Sequence, residues 1–538
     1  TLSIVEEPRP LIETYVYSKD MQGIHLRMNR YARGGIRWST RSEDYRAEIL
    51  GLMQAQQLKN AVIGPDGAKG GFIITSPHND ESISTGYDRY VQALLDITDQ
   101  LHTTEKNAID TMRIYDEHDS YLVVAADKGT ATFSNRANAL STATGYWLGD
   151  AFASGGTHGY DHRKLGITAQ GAWQSLLWHS VTTNIPLGTE GIRIVGIGDM
   201  SGDVFGNGML MSKHIRLVAA FDHRHIFIDP EPDAESSYRI RQQLTRKEGS
   251  SWDDYPREGL SSGGGIYSRS EKYIVLNKEV RSLLQHDSER LTPSALIQAL
   301  LCADVDAIWN GGIGTFVCAE NEHEDDIRDP GNSDCRVYAR DLQARMIVEG
   351  GNLGLTQAAR VEYALQGGCV NTDFIDNAGG VMCSDIEVNT KILLQEVSRY
   401  TNLSNSERNK LLKTYSDEVV STVLRNIQEL NVAMSLATIQ TRQKIEIYMR
   451  FIEQLRQDKA LSQKTDHLPS IAVMQARRAV GKDLTRPEIA VLLARVKLVL
   501  SRELQSGVLI NDPWCSDYAY HALPPACINV YAEYMQQH

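Results

Sequence analysis

Four cations stand between positions 33 and 69: Arg33 and Arg37 in R-G-G-I-R, Lys59 in L-K-N, and Lys69 in D-G-A-K-G-G. A lysine among glycines, taken alone, reads equally well as a solvated loop side chain. Withdrawn from water beside other cations, it loses proton affinity, and its neutral amine becomes available near neutral pH as a base or nucleophile. Arg33 and Arg37 could fork onto a carboxylate, and Lys59 could hold a second as a point charge. The chemistry this suggests is proton transfer on an anionic substrate.

The elements around these residues follow from local pattern. Ser42 is the expected helix cap, Glu43 and Asp44 favour the first turn, and Tyr45, Ile49, Leu52 and Met53 recur at helical spacing. The helix ends near Asn60 and delivers Lys59 from its last turn. Ala61 to Ile63 read as a short strand and Pro65-Asp66-Gly67 as a turn, which puts Lys69 on a glycine-flanked turn. Alternating residues at 15–17 and 24–28 predict strands, and residues 81–102 carry a helical pattern. The run Tyr121 to Ala126 predicts a buried strand that ends at Asp127. On its own, Asp127 is equally a turn cap.

The series R-G-G-I-R, a helix ending in lysine, then D-G-A-K-G-G resembles the substrate domain of the glutamate dehydrogenase family. It is most similar to the large, NAD-specific bacterial class, whose catalytic region is one part of a longer polypeptide. Arg33 stands where the common pattern has lysine. The resemblance implies that Lys69 is the catalytic base, that Asp127 in A-A-D-K-G-T relays protons, and that Lys59 binds the α-carboxylate. It also places Arg33 on the distal carboxylate.

A second set of residues suits a dinucleotide. The apolar strand Ile192 to Val195 runs into Gly196, Gly198 and Gly202, spaced G-x-G-x-x-x-G. A second strand, Ile215 to Phe221, ends at Asp222, where a dinucleotide fold puts the acid that bonds the ribose hydroxyls. An acid there disfavours the extra phosphate of NADP, so NAD is the expected cofactor. Asp229 is the alternative, and either could instead close a strand-end turn. Residues 246–270 have loop composition and interrupt the alternation of strand and helix. It resumes with strands at 305–310 and 344–349, each ending in glycine and amide residues. E-G-G-N and N-A-G-G-V-M-C-S resemble further motifs of the family. They imply Asn352 and Asn377 at the cofactor, Val381 on the pocket wall and Ser384 with Arg33 on the distal carboxylate, with Thr168 also beside the cofactor. His158 and His162 sit four apart without an evident third ligand, so no metal is expected.

The chain of 538 residues has room for two or three domains. Its 42% hydrophobic and 23% charged content is globular, and no apolar run is long enough to cross a membrane. A net charge of −13 argues against nucleic acid. Seven cysteines without a C-x-x-C pair read as reduced thiols of a cytoplasmic protein, and no signal peptide is visible. The expected fold is α/β. A substrate-binding domain spans residues 1–150, a Rossmann-type NAD-binding domain 151–385, and a C-terminal helical region 386–538 returns to the substrate domain. The resemblance implies oxidative deamination of L-glutamate to 2-oxoglutarate and ammonium with NAD, the substrate held in the cleft between two α/β domains of a homo-oligomer. The alternatives are a dehydrogenase of another L-amino acid, disfavoured by Arg33 and Ser384, and a non-catalytic NAD-binding regulatory module, which needs neither Lys69 nor Asp127.

Overall fold

Strands β1 (Ile12–Tyr17), β2 (Met21–Arg27), β3 (Ala32–Trp38), β4 (Asp66–Ile74) and β5 (Val123–Ala126) form one sheet in the order β1-β2-β4-β3-β5. The computed structural model describes residues 9–75, 79–100, 113–115, 117–127, 129–130, 132–188, 191–327, 329–458, 460–461, 466–506, 512 and 522–537. Two compact units emerge. The first comprises residues 1–162, 381–422 and 494–538, the second residues 163–380 and 423–493. The helical segment beyond residue 386 is thus shared between them.

In the first unit, β3 runs parallel to both β4 and β5, with Arg33 opposite Gly67 and Val123. Side chains alternate along a strand, so residues level with one another in these three strands share a face. Odd-numbered Arg33, Gly35, Arg37, Lys69 and, just past β5, Asp127 therefore project on the same side. Even-numbered Ile36, Phe72 and Val124 turn the other way into a core with Tyr87, Tyr90 and Val91 of the helix Asp80–Asp96. That helix starts at a capping box, with Asn79 accepting from the Ser82 amide. The helix Tyr45–Asn60 packs on the odd face, where a Cβ at Gly71 would come within 2.2 Å of Ile49 Cδ1.

Three local expectations are corrected. Asp44, not Ser42, occupies the cap position of the Tyr45–Asn60 helix, and no side chain caps it. Ala61 to Ile63 form a turn rather than a strand. The run D-G-A-K-G-G is the body of β4, not a turn, so Lys69 sits mid-strand. Its glycines misled because their purpose is packing: without side chains they let two helices lie close against the strand.

The second unit carries a seven-stranded sheet, built from β6 (Ile192–Ile197), β7 (Ile215–Phe221), β8 (His225–Ile228), β9 (Gly265–Ser268), β12 (Ala307–Asn310), β15 (Met346–Glu349) and β16 (Cys369–Val370). The short pairs β10 (Ile274–Val275) with β11 (Arg290–Leu291), and β13 (Val317–Cys318) with β14 (Val337–Tyr338), lie outside it. The order is β16-β15-β12-β6-β7-β8-β9, parallel from β16 to β7. Both faces are covered, which is why β6 is apolar apart from Arg193 near its start. Ile192 and Ile194 enter one core with Trp173, Phe205 and Met209; Val195 and Ile197 enter the other with Leu296, Leu300 and Ile308. Strands β8 and β9 are antiparallel, so the segment expected as a loop at 246–270 returns at its end as the edge strand β9.

Among the described residues, no helix is long and apolar enough to cross a membrane, and no group of three potential ligands could hold a metal ion. The six described cysteines are free thiols, and Cys515 lies outside the described residues.

Candidate active site

Lys69 and Asp127 form an ion pair, with Nζ 2.6 Å from Oδ2. Lys69 is buried, and β4 delivers it level with Gly35 of β3. A Cβ at Gly35 would stand 3.3 Å from Lys69 Nζ and 3.0 Å from Asp127 Cβ, so the second R-G-G glycine makes room for the pair. Burial pushes the Lys69 ammonium below the ordinary lysine range, and Arg37 adds to this against the pull of Asp127. Burial draws Asp127 upward, but Lys69 and Arg37 outweigh it and hold the carboxyl below its usual range. Thr130 fixes the turn after β5: its Oγ1 accepts from the Asp127 amide at 3.1 Å and donates to Ile36 O at 2.7 Å.

Arg37 departs from its expected role. Its Nε donates to Asp127 Oδ2 at 3.0 Å, Nη2 lies 3.4 Å from Oδ1, and Nη1 donates to Glu48 Oε1 at 3.0 Å. The fork expected to clamp a substrate carboxylate is engaged by two protein carboxylates, and Arg37 instead orients Asp127. Glu48 also accepts from Ser39 Oγ at 2.6 Å.

Arg33 is buried with Nη2 2.9 Å from Asp385 Oδ1, a close ion contact outside hydrogen-bond geometry, and 3.2 Å from the Tyr121 hydroxyl. Its Nε and Nη1 have no acceptor. Lys59 occupies the last turn of its helix and is half-buried. Asn60, next to it, donates to Arg33 O at 2.9 Å and Asp66 O at 2.8 Å, tying the helix end to the starts of β3 and β4. Val381 and Ser384, both half-buried, lie on the helix Ala378–Tyr400 in the part that belongs to the first unit. The same helix carries Glu387, which accepts from the Gly155 and Tyr160 amides at 2.8 Å each and pairs with Lys391 at 2.8 Å. This anchors the glycine-rich segment around His158.

In the second unit, Gly196 and Gly198 lie against Phe205, where a Cβ at Gly196 would come within 2.3 Å of the ring. Gly198 also has φ +139° and leaves β6 with its amide bonded to Phe221 O at 2.7 Å. Gly202 precedes the short helix Asp203–Gly208, and Asp199 braces the turn by accepting from the Ser201 amide and hydroxyl and the Gly202 amide. Asp222 is buried at the β7–β8 turn: Oδ1 accepts from the Arg224 and His225 amides at 2.6 Å each, and Oδ2 has no partner. Asp229 accepts from the Ser261 amide and hydroxyl, and its Oδ2 is likewise without a partner. Asn377 Nδ2 donates to Asn352 Oδ1 at 2.9 Å, which brings the two expected cofactor asparagines together, while Asn377 Oδ1 is buried and unpartnered. Thr168 is half-buried on the helix Ile167–Thr183, and a Cβ at Gly379 would come within 3.3 Å of its Cα. The orphaned acceptors on Asp222 and Asn377 fit a ligand that offers ribose hydroxyls and a carboxamide NH2.

Sequence reasoning missed Glu48, Tyr121, Asp385 and Asp199. Only Asp199 had a local signal, an acid inside the glycine turn; the others meet their partners through tertiary packing.

Residues 1–437 match the family described as bacterial NAD-glutamate dehydrogenase, catalytic domain, and residues 481–538 match glutamate dehydrogenase, C-terminal. The chain is 46% identical over 546 residues, 100% of its length, to the NAD-specific glutamate dehydrogenase of Pseudomonas aeruginosa, covering 34% of that protein. It is 46% identical over 517 residues to that of Mycobacterium tuberculosis, covering 92% of this chain and 32% of the relative. The chain thus spans about a third of the length of these curated relatives. Among solved structures, glutamate dehydrogenase from Plasmodium falciparum superposes with a TM-score of 0.55 at 14% identity, covering 93% of this chain and 84% of that one, a likeness of fold.

Proposed function

The chain belongs to the family of bacterial NAD-glutamate dehydrogenase catalytic domains, and on that premise we propose that it oxidatively deaminates L-glutamate to 2-oxoglutarate and ammonium with NAD. The observation that carries the reading is the pair of buried Lys69 and half-buried Asp127, 2.6 Å apart on the face that also presents Arg33. A regulatory nucleotide-binding module has no use for a buried lysine whose proton affinity is lowered beside a carboxylate.

In the proposed mechanism, Lys59 holds the α-carboxylate, and Arg33 with Ser384 holds the distal one. Asp127 takes a proton from the substrate ammonium, leaving a neutral amine on the α-carbon. When bound, NAD would supply the hydride acceptor; the glycine turn at 196–202, Asp222, Asn352 and Asn377 would hold it, with Thr168 beside it. Loss of hydride from the α-carbon leaves a protonated imine. Neutral Lys69 takes a proton from the water that attacks this carbon, Asp127 returns its proton to the nitrogen, and ammonia departs as the carbonyl forms, the hydroxyl proton passing to the ionised Asp127. Arg37 acts through Asp127, whose orientation and ionisation it maintains.

The test is oxidation of NADH with 2-oxoglutarate and ammonium, run beside branched-chain 2-oxo acids and the Lys69→Ala variant. Turnover with 2-oxoglutarate alone, lost in the variant, is expected. Preference for an apolar oxo acid would reassign Arg33 and Ser384, and silence with every oxo acid despite NADH binding would favour a regulatory module.

A further inference from the structure

Arg33 is held from one side only. It is 5% exposed, and its described contacts, Asp385 and the Tyr121 hydroxyl, both lie at Nη2, while buried Nε and Nη1 have no acceptor. Buried donors are nearly always satisfied in a working protein, and a charged guanidinium with spare N–H groups is completed by an anion. Asp385 follows Ser384 on a turn of helix that cannot easily shift, since Glu387 two residues on is fixed by two backbone amides and Lys391. Lys497, on the helix Arg486–Ser506, also faces Asp385 electrostatically. Its side chain is largely exposed, and burial around the ammonium lowers its proton affinity against the pull of Asp385. Other side chains of that helix hold it to the same unit: Arg495 donates to Gln57 at 3.0 Å, and Asn29 donates to Gln505 at 3.0 Å. Arg33, Asp385 and Lys497 together carry one net positive charge, which one carboxylate balances.

We propose that Asp385 is a positioning residue for Arg33 and, with Lys497, sets specificity for substrates that carry a second carboxylate. The proposal rests on the glutamate dehydrogenase reading. Asp385 anchors Nη2 so that the remaining N–H groups are directed to the distal carboxylate, and Lys497 restores the positive charge that Asp385 cancels.

The test compares 2-oxoglutarate with 2-oxovalerate, which has the same chain length but lacks the distal carboxylate, in the enzyme and its Asp385→Asn, Asp385→Glu and Lys497→Met variants. For Asp385→Asn, kcat/KM for 2-oxoglutarate is expected to fall roughly tenfold or more through KM, with 2-oxovalerate changed little, so selectivity collapses. Asp385→Glu recovers part of it. Lys497→Met, a change at an exposed position, gives a smaller loss in the same direction and keeps the proposal testable should Asp385→Asn misfold. A parallel fall for both substrates, unchanged selectivity in both Asp385→Asn and Lys497→Met, or tighter 2-oxoglutarate binding in Asp385→Asn would overturn the proposal alone. An unsubstituted enzyme without preference for 2-oxoglutarate would overturn the parent reading and the proposal with it.

Discussion

Arg37 Nε donates at 3.0 Å to Asp127 Oδ2, the same carboxylate oxygen that Lys69 Nζ reaches at 2.6 Å. One oxygen therefore lies between two cations, one permanently charged and one whose proton affinity burial has already reduced. The two cations keep Asp127 ionised, while burial and Arg37 favour loss of the Lys69 proton against the pull of Asp127, the two protonation states that the proposed chemistry requires.

Replacing either partner of the pair should stop proton transfer while sparing nucleotide binding. Lys69→Ala and Asp127→Asn are each expected to lower kcat by roughly 10²–10⁴-fold, the usual contribution of a positioned acid or base. NADH binding, followed by fluorescence, should change little, and a variant that loses both would indicate a folding defect instead.

Arg37→Gln removes the permanent charge. Arg37 lowers the proton affinity of both Lys69 and Asp127, so its loss raises both. Deamination needs neutral Lys69, hence the acidic limb of the kcat/KM profile for glutamate should move to higher pH. A profile that falls in height without moving would assign Arg37 a purely structural part.

At Gly35 the test is steric. Gly35→Ala puts a methyl group 3.3 Å from Lys69 Nζ and 3.0 Å from Asp127 Cβ, where the pair must spread to admit it. Turnover should drop by about tenfold or more, as small misplacements of reacting groups do, while the thermal midpoint moves only slightly. Full activity in this variant would mean the spacing of the pair is not critical.

Asp376 gives a pH dependence of stability in the second unit. Burial raises its carboxyl from 3.8 to about 7, against hydrogen bonds from the Glu349 amide and Asn371. An acid raised on folding binds more protons in the native state, so its contribution to stability is fully present below pH 4 and is lost as pH rises to about 7. Asp376→Asn should flatten the decline of the thermal midpoint between pH 5 and pH 7 relative to the unsubstituted protein. An unchanged slope would place the titration elsewhere.

Much of the architecture was legible from local pattern, because it rests on short-range rules. Strand periodicity marked β1, β2, β6, β7 and the run into Asp127, and helical spacing marked the segment that ends beside Lys59. The resemblance to the glutamate dehydrogenase family named Lys69 and Asp127, which the fold brings to 2.6 Å. Glycine was where local reading failed. The glycines around Lys69 suggested a turn open to a ligand, but a glycine signals only that something lies close, and here the neighbours are Ile49 and Tyr90 of two packed helices.

What the sequence by itself determined was the inventory: the cations, the acid after a buried strand, the glycine turn and the motifs of a family. Only the tertiary structure decided how the charges are paired. Asp127 rather than a substrate occupies Arg37, and Asp385, far along the chain, stands against Arg33. The physical reason is that charge pairing depends on distances of a few ångströms between residues far apart in sequence, which parallel strand register and helix docking set and no local pattern encodes.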